Sequence, residues 1–382
     1  MIILSTHPIE ADVMASVRLR HLLRFLSSQK RQVICICPEG TSSSLGDLPG
    51  ITIRSLHRTT KWSYVLSAAS EIARSLQNDS QKIVLSSIPG IQTFIAAVLA
   101  RRVLRASFKL ILEVRDPFSL NPALPWPALK RALGRRMERY LLRDADQAIF
   151  LTTAIQSMYF SGFSGQQPWK SRNVVITNGY QMPSKVPEYK VLKLRPLKLT
   201  YAGHFYDRRD PSGFLTALRD YLYSHPECPI PSVQIAGEVH GEALSRRVKQ
   251  ICEDPKLQVC VQWLGQIKHD EAVRLMQSSD VNLLFTHDHG SEYAIPGKLF
   301  EYMGARRPVL AITRDPLVIQ IMKESQLGWI CEDQPAITQW FDRFLNDTPA
   351  FQNWRPVDRA TSAYLLENIH PRWLDFVESR TS

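Results

Sequence analysis

The residues best suited to chemistry lie between Ser291 and Leu310, where a polar loop leads into a short segment with a helical pattern. Pro296 fits the first turn of a helix, because its missing N–H would have no partner there. The start of that helix offers free backbone N–H groups and the positive end of the helix dipole, which together favour phosphate. Lys298 lies in the same turn, and Glu301 follows three residues later on the same face. The spacing predicts a site that holds phosphate and accepts hydrogen bonds from hydroxyl groups.

Further candidates for this site come directly after predicted strands in the second half of the chain. They are Gly203, His204, Arg209, Gly237, Glu238 and Gly265. A guanidinium can bind phosphate through two hydrogen bonds, so Arg209 is a candidate phosphate ligand, unless it forms an ion pair with Asp207 or Asp210. His204 could donate a hydrogen bond, although imidazole is largely neutral at pH 7. The glycines are equally consistent with ordinary turns.

In the first half of the chain, Arg115 and Asp116 follow the predicted strand 110–114. This position is the carboxyl edge at which open α/β sheets bind ligands. Asp116 could orient a hydroxyl group and Arg115 could meet an anion; a salt bridge between the two is the alternative. Ser16 and Arg18, at the start of the first long helix, form another candidate anion site, although Arg18 equally fits a helix surface.

The composition is that of a soluble globular protein, with 44% hydrophobic and 22% charged residues among 382. This length favours two domains. No apolar run approaches the roughly 20 residues needed to cross a bilayer. The first strand, at Met1, has no basic segment before it and is too short for a signal peptide core. These features predict a cytoplasmic protein.

The pattern of cysteine and histidine residues does not favour a metal site. The six cysteines are scattered without metal-ligand spacing and fit a reducing compartment. The triplet His287-Asp288-His289 consists of adjacent loop residues, which cannot easily all face one ion. We therefore expect neither a bound metal nor a cofactor.

The net charge of +11 has its densest cluster in a helical segment near residues 128–143. Its cations are Lys130, Arg131, Arg135, Arg136, Arg139 and Arg143. An apolar stripe at helical spacing runs through Leu129, Leu133, Met137, Tyr140 and Leu141. The segment is either a solvated face opposite a stripe packed in the core, or a surface that meets anionic lipid or a phosphorylated acceptor. No DNA- or RNA-binding module is apparent, so we do not expect nucleic acid binding.

Apolar strands alternate with amphipathic helices almost throughout the chain, which predicts parallel sheets with helical crossovers. Residues 181–197 are rich in proline and basic residues and show little helical pattern, so they are the best linker candidate. The pattern predicts an α/β protein with two doubly wound domains, at 1–184 and 185–356, followed by a helical tail at 357–382.

Six segments, in the right order, are similar to GT-B glycosyltransferases, specifically the retaining family 4 group. The most specific match is PGKLFEYMGARRPVLA (296–311), in the donor-binding half. The others are LILEVRDPF (110–118), VVITNGY (174–180), LTYAGHFYDRRDP (199–211), VQIAGE (233–238) and VQWLGQIKHDEAVRLMQSSDVNLLF (261–285).

This resemblance implies a GT-B architecture, in which two Rossmann-like domains face a cleft and the last helix packs back on the first domain. It implies transfer of a sugar, of hexosyl type, from a nucleotide-diphosphate donor to a hydroxyl of a saccharide or lipid-linked acceptor. Retention of configuration and independence of metal are further expectations. Bacterial surface polysaccharide or glycolipid assembly is the usual setting, in the cytoplasm or at the inner face of the membrane.

The resemblance also assigns roles to individual residues. Arg209, Lys298 and Asp116 would serve catalysis. The donor would contact Gly203, His204, Gly237, Glu238, Gly265, Ser291, Glu292, Pro296 and Glu301. The acceptor side would include Ser16, Arg18 and Arg115.

The chain departs from the family pattern at four positions. His204 replaces an arginine, and Arg209 replaces a lysine. Tyr293 stands where the first of two paired glutamates is expected, with Glu292 one residue away. Arg115 replaces a histidine.

Two other functions fit the same architecture. A nucleotide-sugar epimerase would need an acid/base set of carboxylates and histidine, which we do not locate. A catalytically degenerate partner in a polysaccharide assembly complex would suit the replacements at 115 and 293. The donor sugar, its base and the acceptor stay open at this stage.

Overall fold

The protein is described by a computed structural model. The described residues are 1–11, 14–40, 48–57, 60–76, 82–88, 90–183, 196–287, 290, 292–344 and 354–379. The chain forms two compact units, one of Met1–Asn178 with Ile369–Ser382 and one of Gly179–Asn368. Ser291, Asp288 and His289, and most of the linker predicted at 181–197, lie outside the described residues.

The first unit contains a parallel sheet of seven strands. The strands are β1 (Ile2–Leu4), β2 (Val33–Pro38), β3 (Ile51–Leu56), β4 (Ile83–Ile88), β5 (Lys109–Val114), β6 (Gln147–Phe150) and β7 (Asn173–Val175). Their order is β3-β2-β1-β4-β5-β6-β7. Strand order therefore reverses direction beside β1, as in doubly wound folds that bind ligands at this switch point.

Helices connect these strands, as parallel pairing requires. They are α1 (Met14–Ser28), α2 (Lys61–Ser75), α3 (Ile91–Arg102), α4 (Ala128–Leu142), α5 (Thr153–Gly162) and α6 (Pro168–Ser171). The strands are largely buried apolar runs, because helices cover both faces of such a sheet. Strand β3 was not predicted; its inward residues alternate with exposed ones, as expected at a sheet edge.

The second unit has a parallel sheet of six strands. These are β8 (Lys198–Ala202), β9 (Ser232–Ala236), β10 (Val261–Gly265), β11 (Val281–Phe285), β12 (Val309–Ile312) and β13 (Gly328–Cys331), in the order β10-β9-β8-β11-β12-β13. The switch point lies between β8 and β11. Successive residues of a strand point to opposite faces of the sheet. On β11, Leu283 therefore packs in the hydrophobic core on one face and Leu284 in the core on the other.

The helices of this unit are α7 (Ser212–Ser224), α8 (Glu242–Cys252), α9 (Pro255–Cys260), α10 (His269–Ser278), α11 (Gly297–Ala305), α12 (Pro316–Ser325), α13 (Gln334–Phe344) and α14 (Asp358–Ser362). Helix α15 (Leu366–Glu378) follows, and its side chains from Ile369 onward pack in the core of the first unit, with Trp373 2% exposed. The tail is thus two helices, because between them the Tyr364 carbonyl accepts the Tyr180 N–H and the Leu366 N–H donates to the Tyr180 carbonyl, both at 2.9 Å.

Helix α4 does not pack as a core stripe. Leu129, Leu133, Met137 and Tyr140 are exposed, and the helix buries Glu138, Leu141 and Leu142 instead. Hydrophobic periodicity identified an apolar face, but that face does not lie against the core. Within the described residues, no helix combines the length and apolar character that spanning a membrane requires.

Candidate functional site

Three predicted site glycines meet at the carboxyl ends of neighbouring strands β8, β9 and β10. The Gly237 N–H donates to the Gly265 carbonyl at 2.8 Å, and the Gly203 N–H donates to the Ala236 carbonyl at 2.8 Å. Gly237 has φ +141°, and a Cβ there would lie 1.9 Å from the Gly203 oxygen. Only glycine permits this close approach of two backbones. The strand ends thus form a surface of backbone groups without side chains.

His204 lies directly after Gly203, and a backbone hydrogen bond fixes its ring. The Glu238 N–H donates to His204 Nδ1 at 3.1 Å. Because a backbone N–H can only donate, Nδ1 must be unprotonated, and the proton of the ring is on Nε2. His204 is thereby a hydrogen-bond donor through Nε2–H even when it is neutral.

The loops after β8 and β9 are held in register by a short backbone ladder. The Phe205 N–H donates to the Glu238 carbonyl, and the His240 N–H donates to the Phe205 carbonyl, both at 2.9 Å. Phe205 is fully buried and stacks on Tyr201 with ring centroids 4.4 Å apart. The loop carrying Arg209 therefore starts from a fixed position.

Arg209 is held at the end of β8 by a backbone hydrogen bond and a neighbouring ring. The backbone N–H of Arg209 donates to the Tyr206 carbonyl at 2.7 Å. The guanidinium of Arg209 lies over the Tyr206 ring, 5.5 Å from the ring centroid. Asp210, proposed as an alternative partner, pairs with Arg247 at 2.6 Å. Among the described residues, Arg209 forms no ion pair, and its Nε is buried without a hydrogen-bond partner. Arg209 as a whole is half-buried. Burial raises the pKa of the nearby Tyr201 hydroxyl to about 12, while the charge of Arg209 and its hydrogen bond to that hydroxyl lower it.

The positive charge of Arg208 and Arg209 extends to His287, at the end of the neighbouring strand β11. The pKa of His287 is lowered by burial and then by the charges of Arg209 and Arg208. His287 Nδ1 is buried and, among the described residues, lacks a hydrogen-bond partner. His287 also lies edge-on to Tyr206, with centroids 6.2 Å apart. Two arginines thus act on the end of β11, the strand that leads to α11.

Helix α11 carries the predicted Lys298 and Glu301. Pro296 precedes the helix with extended ψ, and the helix begins at Gly297. Lys298 Nζ lies 2.6 Å from Glu301 Oε2, and both side chains are partly buried. Glu301 Oε1 is buried and has no hydrogen-bond partner among the described residues. One carboxylate oxygen therefore orients the lysine, while the other is available to a hydroxyl donor.

The hydroxyl of Tyr302, on α11, is affected by the charge of Arg209. Its hydroxyl donates to the Leu283 carbonyl at 2.8 Å, which fixes α11 against β11. Burial raises the pKa of Tyr302 well above its usual value; the neighbouring Tyr201 and Glu301 raise it further, and Arg209 lowers it. Glu301 and Arg209 thus both influence the electrostatics of one buried hydroxyl, which is hydrogen-bonded to β11.

The first paired glutamate has no carboxylate replacement at Tyr293, which is buried. The Glu292 carboxylate turns back on its own loop, where both oxygens accept the Gly290 N–H at 2.9 Å. Glu292 is exposed, and its carboxylate holds the backbone of its own loop at Gly290. Ser291, the other predicted contact here, is outside the described residues.

In the first unit, Arg18 and Glu113 form the centre of a polar cluster at the sheet edge. Arg18 donates to Glu113 Oε1 at 2.7 Å and to Asn178 Oδ1 at 2.6 Å, and Ser87 donates to the other Glu113 oxygen at 2.9 Å. Arg18 is thus not a free surface arginine. Glu113 was missed from the sequence, although a lone acidic residue in the apolar strand LILEV was a signal.

The other predicted residues of this unit have distinct environments. The buried Ser16 hydroxyl donates to the Pro8 carbonyl at 2.8 Å, which fixes the loop after β1. Among the described residues, Arg115 and Asp116 form no salt bridge, and Arg115 Nε is buried without a partner. Burial lowers the pKa of Arg115, as does Arg18, and burial raises the pKa of Asp116.

A hollow of about 230 Å³ lies at this carboxyl edge. It is lined by Thr6, His7, Pro38, Lys61, Tyr64, Gly90 and Gln92. A smaller cavity of about 40 Å³, lined by Arg18, Glu113 and Arg115, shares Thr6 and His7 with it. The first unit thus offers a polar recess at its own switch point.

Among the described residues, one group has metal-ligand chemistry, namely His204, Glu238 and His240, with ligand atoms within 4.8 Å of one another. The fit to a metal is poor, because His204 Nδ1 accepts the Glu238 N–H and Nε2 carries the proton. Both nitrogens are therefore engaged or protonated.

No protein-family model matches this chain, and no curated protein is significantly similar to it in sequence. Solved structures are similar over nearly the whole length. Sucrose-phosphate synthase from Thermosynechococcus elongatus has a TM-score of 0.70 at 14% identity, covering 98% of this chain and 97% of that one. Anabaena HepE, solved with UDP and glucose, has a TM-score of 0.69 at 14% identity, covering 99% of each chain. WaaG, a glycosyltransferase involved in lipopolysaccharide biosynthesis, has a TM-score of 0.65 at 12% identity, covering 100% of each.

These similarities, together with the two sheets, show that the chain has the fold of GT-B glycosyltransferases, two Rossmann-like domains. The fold predicted from the sequence is therefore confirmed. Fold alone does not carry function, which must be argued from the site.

Proposed function

We propose that this protein is a glycosyltransferase that moves a sugar from a nucleotide-diphosphate donor to a hydroxyl group of a saccharide or lipid-linked acceptor. The observation that carries the proposal is the half-buried Arg209 guanidinium at the end of β8, which has no carboxylate partner among the described residues and whose Nε is buried without a hydrogen bond there. A donor diphosphate supplies the anion that this arrangement lacks. The structural neighbour HepE, which was solved with UDP-glucose, is consistent with such a donor.

In this proposal the diphosphate binds to Arg209, to His204 Nε2–H and to the N-terminus of α11, with Lys298 as a second cation. Glu301 Oε1 accepts hydrogen bonds from the ribose hydroxyls. Gly203, Gly237 and Gly265, with Glu238, leave room for the base and the diphosphate to lie against the backbone. Glu292 keeps its loop in place through the Gly290 N–H, on the side of the site where the sugar would lie.

The reaction proceeds with retention and without a metal. The bond between the sugar anomeric carbon and the diphosphate oxygen breaks, and the acceptor oxygen bonds to the same face of that carbon. The acceptor proton passes to the departing diphosphate oxygen. Arg209 and Lys298 stabilise the charge that develops on the leaving group, which is commonly the largest contribution of such a site.

The first unit, in the same proposal, holds the acceptor at its polar recess. Asp116 orients the acceptor hydroxyl, and Arg115 faces an anionic group of the acceptor. Arg18 and Ser16 act through the positions they fix, because Arg18 is paired with Glu113 and Ser16 holds the loop after β1.

We also infer that the enzyme works in bacterial surface polysaccharide or glycolipid assembly, in the cytoplasm at the inner face of a membrane. The net charge of +11 supports attraction to anionic lipid. The cations involved are Lys130, Arg131, Arg135, Arg136 and Arg139. Arg131 contributes least, since it donates to the carbonyls of Asn121 and Leu124 at 2.8 and 2.7 Å.

A thermal-shift screen of nucleoside diphosphates and their sugars tests the proposal. Ligand that binds the native state raises the melting temperature with the logarithm of its concentration. We expect at least one of UDP, GDP and ADP to stabilise the protein, and Arg209→Gln to remove most of that shift. Arg219→Gln, at an arginine outside the site, is the matched control and should respond like wild type. If no nucleoside diphosphate produces a shift, the proposal is wrong.

A further inference from the structure

The second unit contains a cation that the proposed diphosphate contacts do not use. Arg208 directly precedes Arg209 in the loop after β8, and its side chain is half-buried. Among the described residues, the Arg208 guanidinium forms neither an ion pair nor a hydrogen bond. Arg208 is therefore available to a ligand.

The Arg208 side chain reaches the loop that follows β11. A Cβ placed on Gly290 would lie 3.0 Å from Arg208 Nη1. The charge of Arg208 also lowers the pKa of His287, after the larger effects of burial and of Arg209. The guanidinium therefore lies near the end of β11 and near the loop that leads to α11.

The acidic residues next to Arg208 in the sequence turn elsewhere. A Cβ placed on Gly241 would lie 2.9 Å from Asp207 Oδ1, so the Asp207 carboxylate lies against the loop after β9. Asp210 pairs with Arg247 at 2.6 Å. Neither carboxylate therefore neutralises Arg208.

At the loop before α11, the chain presents a cation near the position where the resembling family has a glutamate. Tyr293 is buried, and both Glu292 oxygens accept the Gly290 N–H at 2.9 Å. Arg208 lies at the same glycine without forming a salt bridge to Glu292. Among these residues, the polar group without a partner is thus the guanidinium.

A second polar atom at the end of β11 also lacks a partner. His287 Nδ1 is buried and has no hydrogen bond within the described part of the chain. Buried polar atoms normally have a hydrogen-bond partner. A ligand that reaches Arg208 would supply one to His287, because both lie at this strand end.

The order of the strands places these two groups at the sugar end of the donor. In the proposed function, the base and the diphosphate lie against the glycines that end β10, β9 and β8, which are neighbours in the sheet. Strand β11 comes next in the same order. The sugar is attached to the diphosphate, so it extends toward the end of β11, where Arg208 and His287 lie.

We propose that the donor sugar carries a carboxylate, as a hexuronic acid does, and that Arg208 binds this group. The inference rests on the proposed function and adds to it the class of the donor sugar. A guanidinium binds a carboxylate through two parallel hydrogen bonds, a geometry that a neutral hydroxymethyl group does not offer. His287 Nδ1 forms a further hydrogen bond to the sugar, while Arg209 and Lys298 bind the diphosphate.

Calorimetric binding of paired nucleotide sugars tests this inference. UDP-glucose and UDP-glucuronic acid differ only at C6, where a carboxylate replaces a hydroxymethyl group, and GDP-mannose and GDP-mannuronic acid form the same pair with another base. Wild type should bind the uronate about tenfold more tightly than the neutral sugar on the base that it accepts. Arg208→Gln should abolish this preference but bind UDP or GDP alone about as tightly as wild type does.

Two further variants serve as controls. Arg219→Gln, at an arginine outside the site, should keep the full preference for the uronate. Arg208→Lys should keep part of it, because the charge remains but the two parallel hydrogen bonds are lost.

The inference is overturned if wild type binds both sugars of a pair equally. It is also overturned if Arg208→Gln weakens UDP or GDP alone as much as the uronate, because Arg208 would then be a diphosphate ligand. In both cases the proposed function stands, since the nucleotide binds. If wild type binds neither UDP nor GDP in any form, the inference and the proposed function both fall.

Discussion

Lys298 and Glu301 form an ion pair of 2.6 Å across one turn of α11, and the second Glu301 oxygen is buried without a described partner. The carboxylate thus holds the lysine near the start of the helix, and its second oxygen is the atom that we propose for a ligand hydroxyl. Partial burial makes this pair more than a surface salt bridge.

Replacing Lys298 with alanine should lower turnover by about 100-fold or more, because a cation that stabilises the leaving group is lost. The effect should fall on kcat more than on the donor KM, measured by steady-state assay. Lys249→Ala, at an exposed lysine on α8, is the control and should be active. An unchanged kcat in Lys298→Ala would refute the assigned role.

Glu301→Gln should raise the donor KM about tenfold, since a hydrogen bond to a charged acceptor is replaced by one to a neutral acceptor. A donor analogue without the ribose 2′- and 3′-hydroxyls provides the decisive comparison. Wild type should lose more affinity for this analogue than the variant does, because the two changes remove one interaction. Equal losses in both proteins would show that Glu301 does not hold the ribose.

Gly237→Ala should destabilise the second unit by at least about 2 kcal/mol, because φ is +141° and the new Cβ would meet the Gly203 carbonyl. Nucleotide binding should be lost as the three strand ends separate. Gly213→Ala, in α7 where a Cβ would meet no atom within 4 Å, is the matched control. It should be neutral or stabilising by up to about 1 kcal/mol. Urea unfolding of both variants measures the difference, and equal stabilities would contradict the prediction.

The first unit should lose stability as the pH falls below 6.5, partly because of His370. Burial, then Arg18 and His21, lower its pKa to about 4. The unfolded chain takes up the proton below its ordinary pKa near 6.5, whereas the folded ring stays neutral until about pH 4, so protonation favours unfolding within this window. Between pH 7 and pH 5 the contribution is at most about 2 kcal/mol.

His370→Phe should therefore flatten this pH dependence. The ring packs 5.0 Å from Phe25, so an aromatic replacement preserves the contact. Urea midpoints at pH 7 and pH 5 provide the measurement, with His57→Gln, at an exposed histidine, as the control. A variant that loses as much stability as wild type between these pH values would exclude the assigned contribution.

The sequence predicted the parallel sheets and the run from Pro296 to Leu310 because these depend on local patterns. An apolar strand or a helix-capping residue can be recognised from a stretch of only a few residues. The exception was β3, whose half-exposed edge pattern is weaker than that of a buried strand.

Features that depend on contacts between residues far apart in the chain could not be predicted from the sequence. The tautomer of His204 is set by the Glu238 N–H, 34 residues away, and no local signal specifies that hydrogen bond. Likewise, α4 has an apolar stripe that predicts a packed face, but Ser119 and Tyr159 hold Glu138 inward and reverse it. Hydrophobic periodicity identifies the apolar face of a helix, but it does not show whether that face points to the core or to solvent.

The most direct measurement is a crystal structure of the protein soaked with UDP or GDP. We expect a diphosphate within hydrogen-bonding distance of the Arg209 guanidinium, His204 Nε2 and the first backbone N–H groups of α11, with Glu301 Oε1 on the ribose. Density for the nucleotide elsewhere, or none at saturating concentration, would contradict it.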